Sequence, residues 1–448
     1  MTREIAFDLL TRIQVDDSYA NLLLPTLLKR ARLDGRDAAF VQELAFGTIR
    51  NWLFYEKVIE KASGRKLDDI ESDAQTVLVL GIHQLLDMRV PPHAAINESV
   101  NLAKSRASKG SVGFINAVLR KISTADRETW LKAVTSGLTH DEKLSVTYSH
   151  PVWIIKAFKA ALTSRRLEAG LEDLLRSNNE APKVSVVALP GFSEPQELSD
   201  EQSTHIASPL GREISGNPGS IRAVQEGRAR VQDQGSQLVT IATVQATTLC
   251  SDEVWLDMCA GPGGKAALLA AYSLLRKTHL VCNEISHHRS ELVRNALEPI
   301  GQFSVQTQDG RSLGDASTKF SRVLLDAPCT GLGALRRRPE SRWRRTPEDL
   351  VDLVSLQREL LENAWKVLRP GGILGYVTCS PHLSETTGQI TWAEKQFGSE
   401  MELLNANQIL NEINPSLNLD SSFRTVQLWP HLNGTDAMFL ALLRKTVN

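Results

Sequence analysis

The sequence predicts an α/β protein in which a doubly wound, Rossmann-like domain at residues 233–448 is preceded by an all-helical domain at residues 1–125. Three observations support this division. Apolar residues recur at helical spacing near the amino end, strand-like and helical segments alternate near the carboxyl end, and a glycine-rich turn follows one of the strands. Residues 126–232 are expected to form a helical connector and a small α+β linker domain.

The amino-terminal region carries the pattern of amphipathic helices. Leu23 and Leu27 fall on one helical face, and similar spacing continues through residues 77–86. Basic side chains gather near the end of this region, at Lys104, Arg106, Lys109, Arg120 and Lys121. Such a cluster suits contact with RNA phosphates, and a solvated helix face explains it equally well.

The linker region changes character part of the way along. Helical spacing continues to about residue 170, after which residues 184–189 form a strand-like run. The residues that follow are rich in Pro, Gly, Ser and Glu, which favours turns and short elements. A small α+β domain that leads into the last domain through residues 229–237 accounts for this composition.

Alternating strands and helices mark residues 233–448 as a doubly wound sheet. The predicted strands are 254–257, 280–283, 303–307, 323–326, 373–378 and 438–443, and helices are predicted at 288–297 and 350–368. Ligands of such sheets bind at the carboxyl ends of the strands. Several side chains lie at or just beyond predicted strand ends and are expected to share one edge: Asp257, Glu284, Asp309, Asp326 and Cys379.

Residues 254–265 are the most informative stretch, because an apolar strand stops at Asp257 and runs into a glycine-rich turn. Gly261, Gly263 and Gly264 allow the backbone to approach a ligand closely. The alanine- and leucine-rich run that follows favours a helix, whose N-terminus would point at that ligand.

Two familiar nucleotide-binding loops fit this turn poorly. A Walker-type phosphate loop fails twice, since its first glycine and its Ser or Thr are replaced by Cys259 and Ala266. The dinucleotide fingerprint is met only in its permissive form, with alanine at its end. An adenosyl-ligand loop of another class fits at least as well, with Glu284 placed to bind ribose hydroxyls, and a simple tight turn is the alternative.

Composition limits the cellular setting and the partners. The chain has 448 residues, a formal net charge of -1 and no long apolar run near its start, so the sequence predicts a cytoplasmic protein without a membrane span. Its five cysteines include no Cys-x-x-Cys pair, which argues against a disulfide scaffold and a zinc site, and no metal is expected. The nearly neutral charge gives no sign of a polyanionic partner, so RNA binding depends on local clusters.

Two cysteines follow predicted strands, Cys329 after residues 323–326 and Cys379 after residues 373–378. No histidine is an obvious local partner of either one, which argues against protease-like Cys/His chemistry. Each cysteine taken alone fits a small buried apolar residue. The two together, beside a cofactor loop and Lys265, indicate catalysis by a thiolate.

Methylation of cytosine at C5 is one reaction that uses two cysteines beside an adenosyl cofactor. A thiolate adds to C6, which makes C5 able to attack a sulfonium methyl group. A base then removes the C5 proton so that the thiol can leave, and an acidic group near N3 assists by neutralising the ring. Cys379, Cys329 and Asp326 are the candidates for these roles.

An arginine-rich segment at residues 336–345 lies between the two cysteines and holds six arginines around Trp343. Arginines beside an aromatic ring are typical of a phosphate-binding loop with a stacking platform. A solvated loop without a ligand is the alternative interpretation.

These motifs resemble those of the RNA cytosine-5 methyltransferases. Residues 257–265, 326–329 and 378–380 match the S-adenosylmethionine-binding motif and the two catalytic motifs of that family in order and spacing. Residues 43–50 and 114–120 are similar to the NusB-like extension of the Sun/RsmB-type ribosomal RNA enzymes. The resemblance covers nearly the whole chain and is weakest at about 180–230.

The resemblance implies a role for each matching residue. Cys379 would be the nucleophile that attacks C6, Cys329 would promote product release, and Asp326 and Lys265 would lie near the target base. The residues implied to contact S-adenosylmethionine are Cys259, Ala260, Gly261, Pro262, Gly263, Gly264, Lys265, Glu284, Asp309 and Asp326. The implied partner is small-subunit ribosomal RNA, and the protein is expected to be a monomer.

The sequence also departs from the family pattern. Gly261 stands where alanine is commoner, which is expected only to loosen the loop. Glu284 replaces the more usual aspartate and is expected still to bind a ribose diol. Residues 184–189 lack the Arg-x-Asn segment often found in this region.

The sequence therefore predicts S-adenosylmethionine-dependent methylation of C5 of a cytidine in 16S-type ribosomal RNA, through a covalent adduct between Cys379 and C6. A transfer-RNA cytosine-5 methyltransferase is the alternative among enzymes. A non-catalytic NusB-like RNA-binding or antitermination protein is the alternative from another class. The intact pair of Cys329 and Cys379 favours the enzyme.

Overall fold

The computed structural model describes residues 1–15, 19–198, 207–315 and 319–447. The chain divides into a helical unit, which comprises residues 1–181 and 335–345, and an α/β unit, which comprises residues 182–334 and 346–448. The domain boundaries predicted at residues 125 and 232 stay a prediction, because one compact unit can contain segments that fold independently.

The helical unit is built from amphipathic helices that share one core. Its helices within residues 1–181 are α1 (Thr2–Val15), α2 (Ala20–Ala31), α3 (Gly35–Arg50), α4 (Trp52–Ser63), α5 (Ser72–Leu86), α6 (Pro92–Arg106), α7 (Lys109–Ile122), α8 (Arg127–Thr135), α9 (His140–Tyr148), α10 (Val152–Thr163) and α11 (Leu171–Ser177). The core between them includes Leu9, Leu44, Phe54 and Ile115, all of them fully buried. The prediction of an all-helical amino-terminal domain is confirmed.

Local sequence fixes several helix ends in this unit. The side chain of Asp126 accepts a hydrogen bond from the Thr129 backbone N–H and so caps α8. A capping box begins α9, in which Thr139 and Glu142 each accept a hydrogen bond from the other's backbone N–H. These contacts satisfy backbone donors that the first turn of a helix leaves free.

The remaining elements follow in chain order, and all except α16 belong to the α/β unit. They are β1 (Val184–Ala188), β2 (Gly211–Ile214), α12 (Arg222–Gln225), β3 (Ala229–Val231), α13 (Gln234–Gln245), β4 (Val254–Asp257), α14 (Gly264–Leu275), β5 (His279–Asn283), α15 (His287–Leu297), β6 (Ser304–Gln306), β7 (Phe320–Asp326), α16 (Ser341–Arg344), α17 (Pro347–Val367), β8 (Leu368–Thr378), α18 (Thr387–Phe397), β9 (Met401–Leu403), α19 (Ala406–Ile413), β10 (Val426–Gln427), α20 (Pro430–Asn433) and β11 (Phe439–Lys445).

The large sheet of the α/β unit has the strand order β10-β11-β8-β7-β4-β5-β6, with β9 paired to β11. Strands β8, β7, β4, β5 and β6 run parallel, while β11 runs antiparallel to β8. The connections leave β4 in both directions, which makes the carboxyl end of β4 the topological switch point where such sheets bind ligands. The predicted doubly wound sheet is confirmed, and the strand predicted at 373–378 begins earlier, at Leu368.

A small antiparallel sheet with the order β2-β1-β3 precedes the large one. Side chains of β1 alternate between two cores, as the period of a strand requires. Val186 and Ala188 pack in the core of the small sheet, whereas Val187 packs against the core of the large sheet. Residues 184–188 thus join the small sheet to the Rossmann-like fold.

The arginine-rich segment belongs to the helical unit. Arg342 is fully buried and donates hydrogen bonds to the Ser149 carbonyl at 2.9 Å and to Asn179 Oδ1 at 2.8 Å. Trp343 packs against the helical core, and its indole N–H donates to the Ile49 carbonyl at 3.3 Å. The prediction of a phosphate-binding loop with a stacking ring is therefore wrong for Arg342 and Trp343, because their polar groups donate to oxygen atoms inside the protein.

Among the residues that the structure describes, no helix combines the length and the apolar character that crossing a membrane requires.

We expect Arg342→Met to lower the free energy of unfolding of the protein by about 1–3 kcal/mol, since buried carbonyl oxygens would lose their donor. Urea denaturation followed by circular dichroism measures this change. Arg30→Met is the matched control, because Arg30 is exposed on α2. Equal stability of the two variants would show that the buried guanidinium contributes nothing to the helical unit.

Candidate active site

The carboxyl edge of the large sheet gathers four side chains from neighbouring parallel strands. Asp257 ends β4, Glu284 follows β5, Asp326 ends β7 and Cys379 follows β8. In the parallel register of β7 and β8, Asp326 lies opposite Val377, two residues before Cys379. This arrangement places acids and a thiol beside the topological switch point.

A cavity of about 430 Å³ opens at this edge. Its walls combine apolar side chains with carboxylates and include Met258, Cys259, Glu284, Ile285, Asp309, Pro328, Leu356 and Leu360. Cys259, Glu284 and Asp309 are the members of the predicted cofactor set that line it. Burial raises the pKa of Cys259 above its ordinary value, so this thiol faces the cavity as a neutral group.

Glu284 is buried and is held from two sides. Its Oε2 accepts a hydrogen bond from the Gly261 backbone N–H at 3.0 Å. Its Oε1 accepts from the Ser286 backbone N–H at 3.0 Å and from Arg289 Nη2 at 2.5 Å. A Cβ atom at position 261 would collide with Glu284 Oε2. Glycine is required here by the close approach of Glu284, so the prediction that Gly261 only loosens the loop is wrong.

Asp309 is also paired with an arginine. Arg311 donates to Asp309 Oδ1 from Nε at 3.0 Å and to Oδ2 from Nη2 at 2.6 Å, in a bidentate pair. Both arginines, Arg289 and Arg311, line the cavity with the carboxylates that they hold. These pairs keep two acceptors oriented at the cavity wall.

The cavity suits the nucleoside part of S-adenosylmethionine. Carboxylate oxygens of Glu284 and Asp309 can accept hydrogen bonds from ribose hydroxyls and from an adenine amino group. Met258 and Leu360 offer apolar surface for the faces of a purine. The chemistry of the wall therefore agrees with the predicted cofactor.

The glycine turn, residues 260–264, does not line the cavity but packs against the residues that do. Ala260 is buried, and its N–H donates to the Asn283 carbonyl at 2.9 Å. Pro262 follows Gly261 through a cis peptide bond, and Gly263 has a φ of 106°, a left-handed value that favours glycine. Gly264 is the first residue of α14, so the turn and the helix N-terminus follow the predicted order.

The two cysteines meet beside this cavity. The Sγ atoms of Cys329 and Cys379 are 3.3 Å apart, although the residues are 50 positions apart in the sequence. The hydrogen bond with Cys379, together with burial, raises the pKa of Cys329 well above its usual value. The proximity of Cys379 thus favours the protonated form of Cys329.

Lys265 connects the glycine turn to the end of β7. Its Nζ donates to Asp326 Oδ2 at 2.8 Å. Burial by itself lowers the pKa of Lys265, but the Asp326 carboxylate raises it above the ordinary value, so Lys265 remains a cation. This ammonium also interacts electrostatically with Cys379. The arrangement provides positive charge near the Cys379 sulfur.

Asp257 is buried at the centre of this edge. Burial first, and then the Asp326 charge, raise the pKa of Asp257 to about 8, although Lys265 opposes the shift. The carboxyl group is therefore largely protonated at neutral pH.

Several residues that support the site were missed by the sequence analysis. Asn283 donates from Nδ2 to the carbonyls of Met258 and Gln308, each at 3.1 Å, and so ties two loops together. Arg289 and Arg311 were also missed, although each follows its carboxylate closely in the sequence. The sequence signal for these two residues was an arginine within a few positions of an acid at a strand end. This signal is weak, because such pairs are common on protein surfaces.

The fold and the site define a class of protein: an S-adenosylmethionine-dependent methyltransferase with a Rossmann-like domain and a NusB-type helical domain. Residues 244–444 match the family model of the 16S rRNA methyltransferase RsmB/F, and residues 1–124 match the model of the NusB family. The chain belongs to the RsmB/F family of methyltransferases.

Relatives match along most of the chain. Putative methyltransferase Rv1407 of Mycobacterium tuberculosis (strain H37Rv) is 41% identical over 99% of this chain and 96% of its own length. Ribosomal RNA small subunit methyltransferase B of Sodalis glossinidius is 30% identical over 82% of this chain and 83% of its own length. The crystal structure of PH0851 shares the fold, with a TM-score of 0.76 and 22% identity over 98% of this chain and 97% of that one.

We expect Gly261→Ala to weaken binding of S-adenosylmethionine by about tenfold or more. The new methyl group would displace Glu284, because the side chain of glutamate is one methylene longer than that of aspartate and occupies that space. The double variant Gly261→Ala/Glu284→Asp should recover most of this loss. Isothermal titration calorimetry of the wild type, both single variants and the double variant gives the coupling between the positions. Additive losses would contradict the steric link.

We expect the free energy of unfolding of the wild type to fall, relative to that of Asp257→Asn, as the pH rises from about 4 to about 8. The pKa of Asp257 is about 8 in the folded state, so folding favours the protonated carboxyl group. The stability that this preference contributes is fully present below the pKa of the carboxyl group in the unfolded chain. It is lost as the pH rises toward the pKa in the folded protein. The difference should change by at most about 1.4 kcal/mol per pH unit. Urea titrations at several pH values test this, and parallel profiles would contradict a neutral Asp257.

Proposed function

We propose that this protein methylates C5 of a cytidine in small-subunit ribosomal RNA through a covalent adduct between Cys379 and C6. The observation that carries the proposal is the 3.3 Å separation of the Cys329 and Cys379 sulfur atoms beside the paired Lys265 and Asp326. A reaction that needs one thiolate as a nucleophile and a second sulfur for proton transfer accounts for both cysteines.

Each residue of the cluster has a step in this reaction. The Cys379 thiolate forms a bond to C6, and the pair of Lys265 and Asp326 shares a proton with the ring edge as negative charge develops there. When bound, S-adenosylmethionine would supply the methyl group to C5 as an electrophilic sulfonium, and its S–CH3 bond would break to leave S-adenosylhomocysteine. Once Cys379 is bonded to C6, it no longer raises the pKa of Cys329, so Cys329 can lose its proton to solvent and then take the C5 proton. The C6–S bond then breaks, and its electron pair returns to Cys379 as a thiolate.

The choice of RNA follows from the relatives. Proteins named ribosomal RNA small subunit methyltransferase B match 82% or more of this chain, including the one from Sodalis glossinidius and the full-length match from Pasteurella multocida. A transfer-RNA substrate would use the same chemistry and remains the alternative within this proposal. A cytoplasmic location and a monomeric state stay predictions.

We expect the two cysteine variants to fail at different steps. Cys379→Ala should abolish methyl transfer while leaving cofactor binding unchanged, because the cavity residues are intact. Cys329→Ala should accumulate a covalent protein–RNA adduct, because proton removal and release are slowed. Methylated products are measured with radiolabelled S-adenosylmethionine and 16S rRNA, and adducts are measured on denaturing gels.

The control for this experiment is Cys250→Ala, which removes a thiol whose Sγ contacts the Pro370 carbonyl. This variant should keep wild-type turnover. Turnover by Cys379→Ala, or an adduct that Cys329→Ala fails to accumulate, would refute the assigned roles. Bisulfite sequencing of the product locates the methyl group, and transfer RNA tested in parallel distinguishes the two substrates.

A further inference from the structure

A buried polar cluster lies behind the two cysteines, in the α/β unit. Its centre is Glu385, which ends a short 3₁₀ turn, Leu383–Glu385, after β8. The side chain of Glu385 is fully buried. Thr330 and Ser380, the residues directly after Cys329 and Cys379, are buried with it. The cluster has no part in the reaction steps described above.

The hydrogen bonds of the cluster converge on the Glu385 carboxylate. Oε1 accepts from the Thr330 backbone N–H at 2.8 Å and from Gln357 Nε2 at 3.1 Å. Oε2 accepts from the Thr330 hydroxyl at 2.5 Å. The hydroxyl oxygens of Thr330 and Ser380 are 3.0 Å apart. Since the Thr330 proton is already donated to Glu385, Ser380 must donate to Thr330.

These bonds fix the backbone on both sides of Cys329. Thr330 follows Cys329 and is held by Glu385 through its N–H and its hydroxyl. Pro328 precedes Cys329, and its carbonyl accepts from Gln357 Nε2 at 2.8 Å. A separate hydrogen bond holds the loop of Cys379, because the Cys379 carbonyl accepts from the Gly333 backbone N–H at 2.9 Å. The Cys329 side of the sulfur pair is thus held through one buried carboxylate.

A buried carboxylate is unfavourable unless donors surround it, and an apolar side chain would stabilise the same core at lower cost. Neighbouring positions in this core are filled by apolar residues such as Leu361, Ile390 and Ala393. A charged residue at position 385 is therefore better explained by what it holds than by the stability of the fold.

We propose that Glu385 is a positioning residue that holds Cys329 against Cys379 for the release step of methyl transfer. This inference rests on the proposed function, since it assigns to Cys329 the transfer of the C5 proton. Glu385 itself touches neither cavity nor sulfur atoms and acts through Thr330.

The test is Glu385→Gln, which keeps the shape of the side chain and replaces one acceptor oxygen with a donor. We expect kcat to fall by about tenfold to a hundredfold with the KM for RNA and the affinity for S-adenosylmethionine unchanged. The covalent protein–RNA adduct should accumulate on denaturing gels, because formation continues while release slows. Glu394→Gln, at an exposed position on α18, is the matched control and should behave as the wild type.

A second pair of variants tests the same contact from the other side. Thr330→Ser keeps the hydroxyl and should retain near-wild-type turnover, whereas Thr330→Val removes it and should accumulate adduct like Glu385→Gln. Unchanged kcat in Glu385→Gln would overturn the inference. So would a joint loss of melting temperature, cofactor affinity and adduct, which would indicate a purely structural role.

The adduct assay also separates failure of this inference from failure of the proposed function. If Cys329→Ala accumulates adduct and Glu385→Gln does not, Glu385 has no role in release, and the proposed function stands. If neither the wild type nor Cys329→Ala methylates RNA or forms an adduct, the proposed function fails, and the inference about Glu385 fails with it.

Discussion

Parallel pairing of β7 with β8, in the register that sets Asp326 opposite Val377, is the constraint on which the candidate active site depends. It brings together two strand ends whose cysteines are 50 residues apart along the chain and leaves their sulfur atoms 3.3 Å apart. The pairing of β7 with β4 then places this cysteine pair beside Lys265 and the cavity at the end of β4. A shift of one residue in either register would turn alternate side chains to the opposite face of the sheet and separate the thiols.

Four carboxyl groups share this edge, and they are accommodated in two ways. Glu284 and Asp309 are paired with nearby arginines at the cavity wall, and Asp326 is paired with Lys265. Asp257, which is buried, is accommodated by retaining its proton. Cation pairing holds acceptors in place where a ligand needs them, whereas protonation of Asp257 removes a charge that would repel Asp326. The electrostatics of the edge thus follow from burial and from the cation that each acid can reach.

The two departures from the family pattern in the cofactor motif have one cause. A side chain one methylene longer than aspartate brings Glu284 Oε2 against position 261, where only glycine leaves room for it and offers an N–H at 3.0 Å. The substitutions lie far apart in the sequence, and neither one alone indicates the other. Gly261 and the buried Glu284 here form one unit of packing and hydrogen bonding.

The sequence alone determined the fold class, most strand positions and the order of the motifs, because helical and strand periodicity and glycine-rich turns are local properties of the chain. Strand 254–257 was predicted with its observed bounds, and the two cysteines were expected at one edge because parallel strands end together. Only the tertiary structure decided that Arg342 and Trp343 pack inside the helical unit, that Glu284 excludes a side chain at position 261, and that Glu385 anchors the loop of Cys329. These features depend on distances between residues far apart in the sequence, and on the burial that sets the cost of each charge, which no local pattern records.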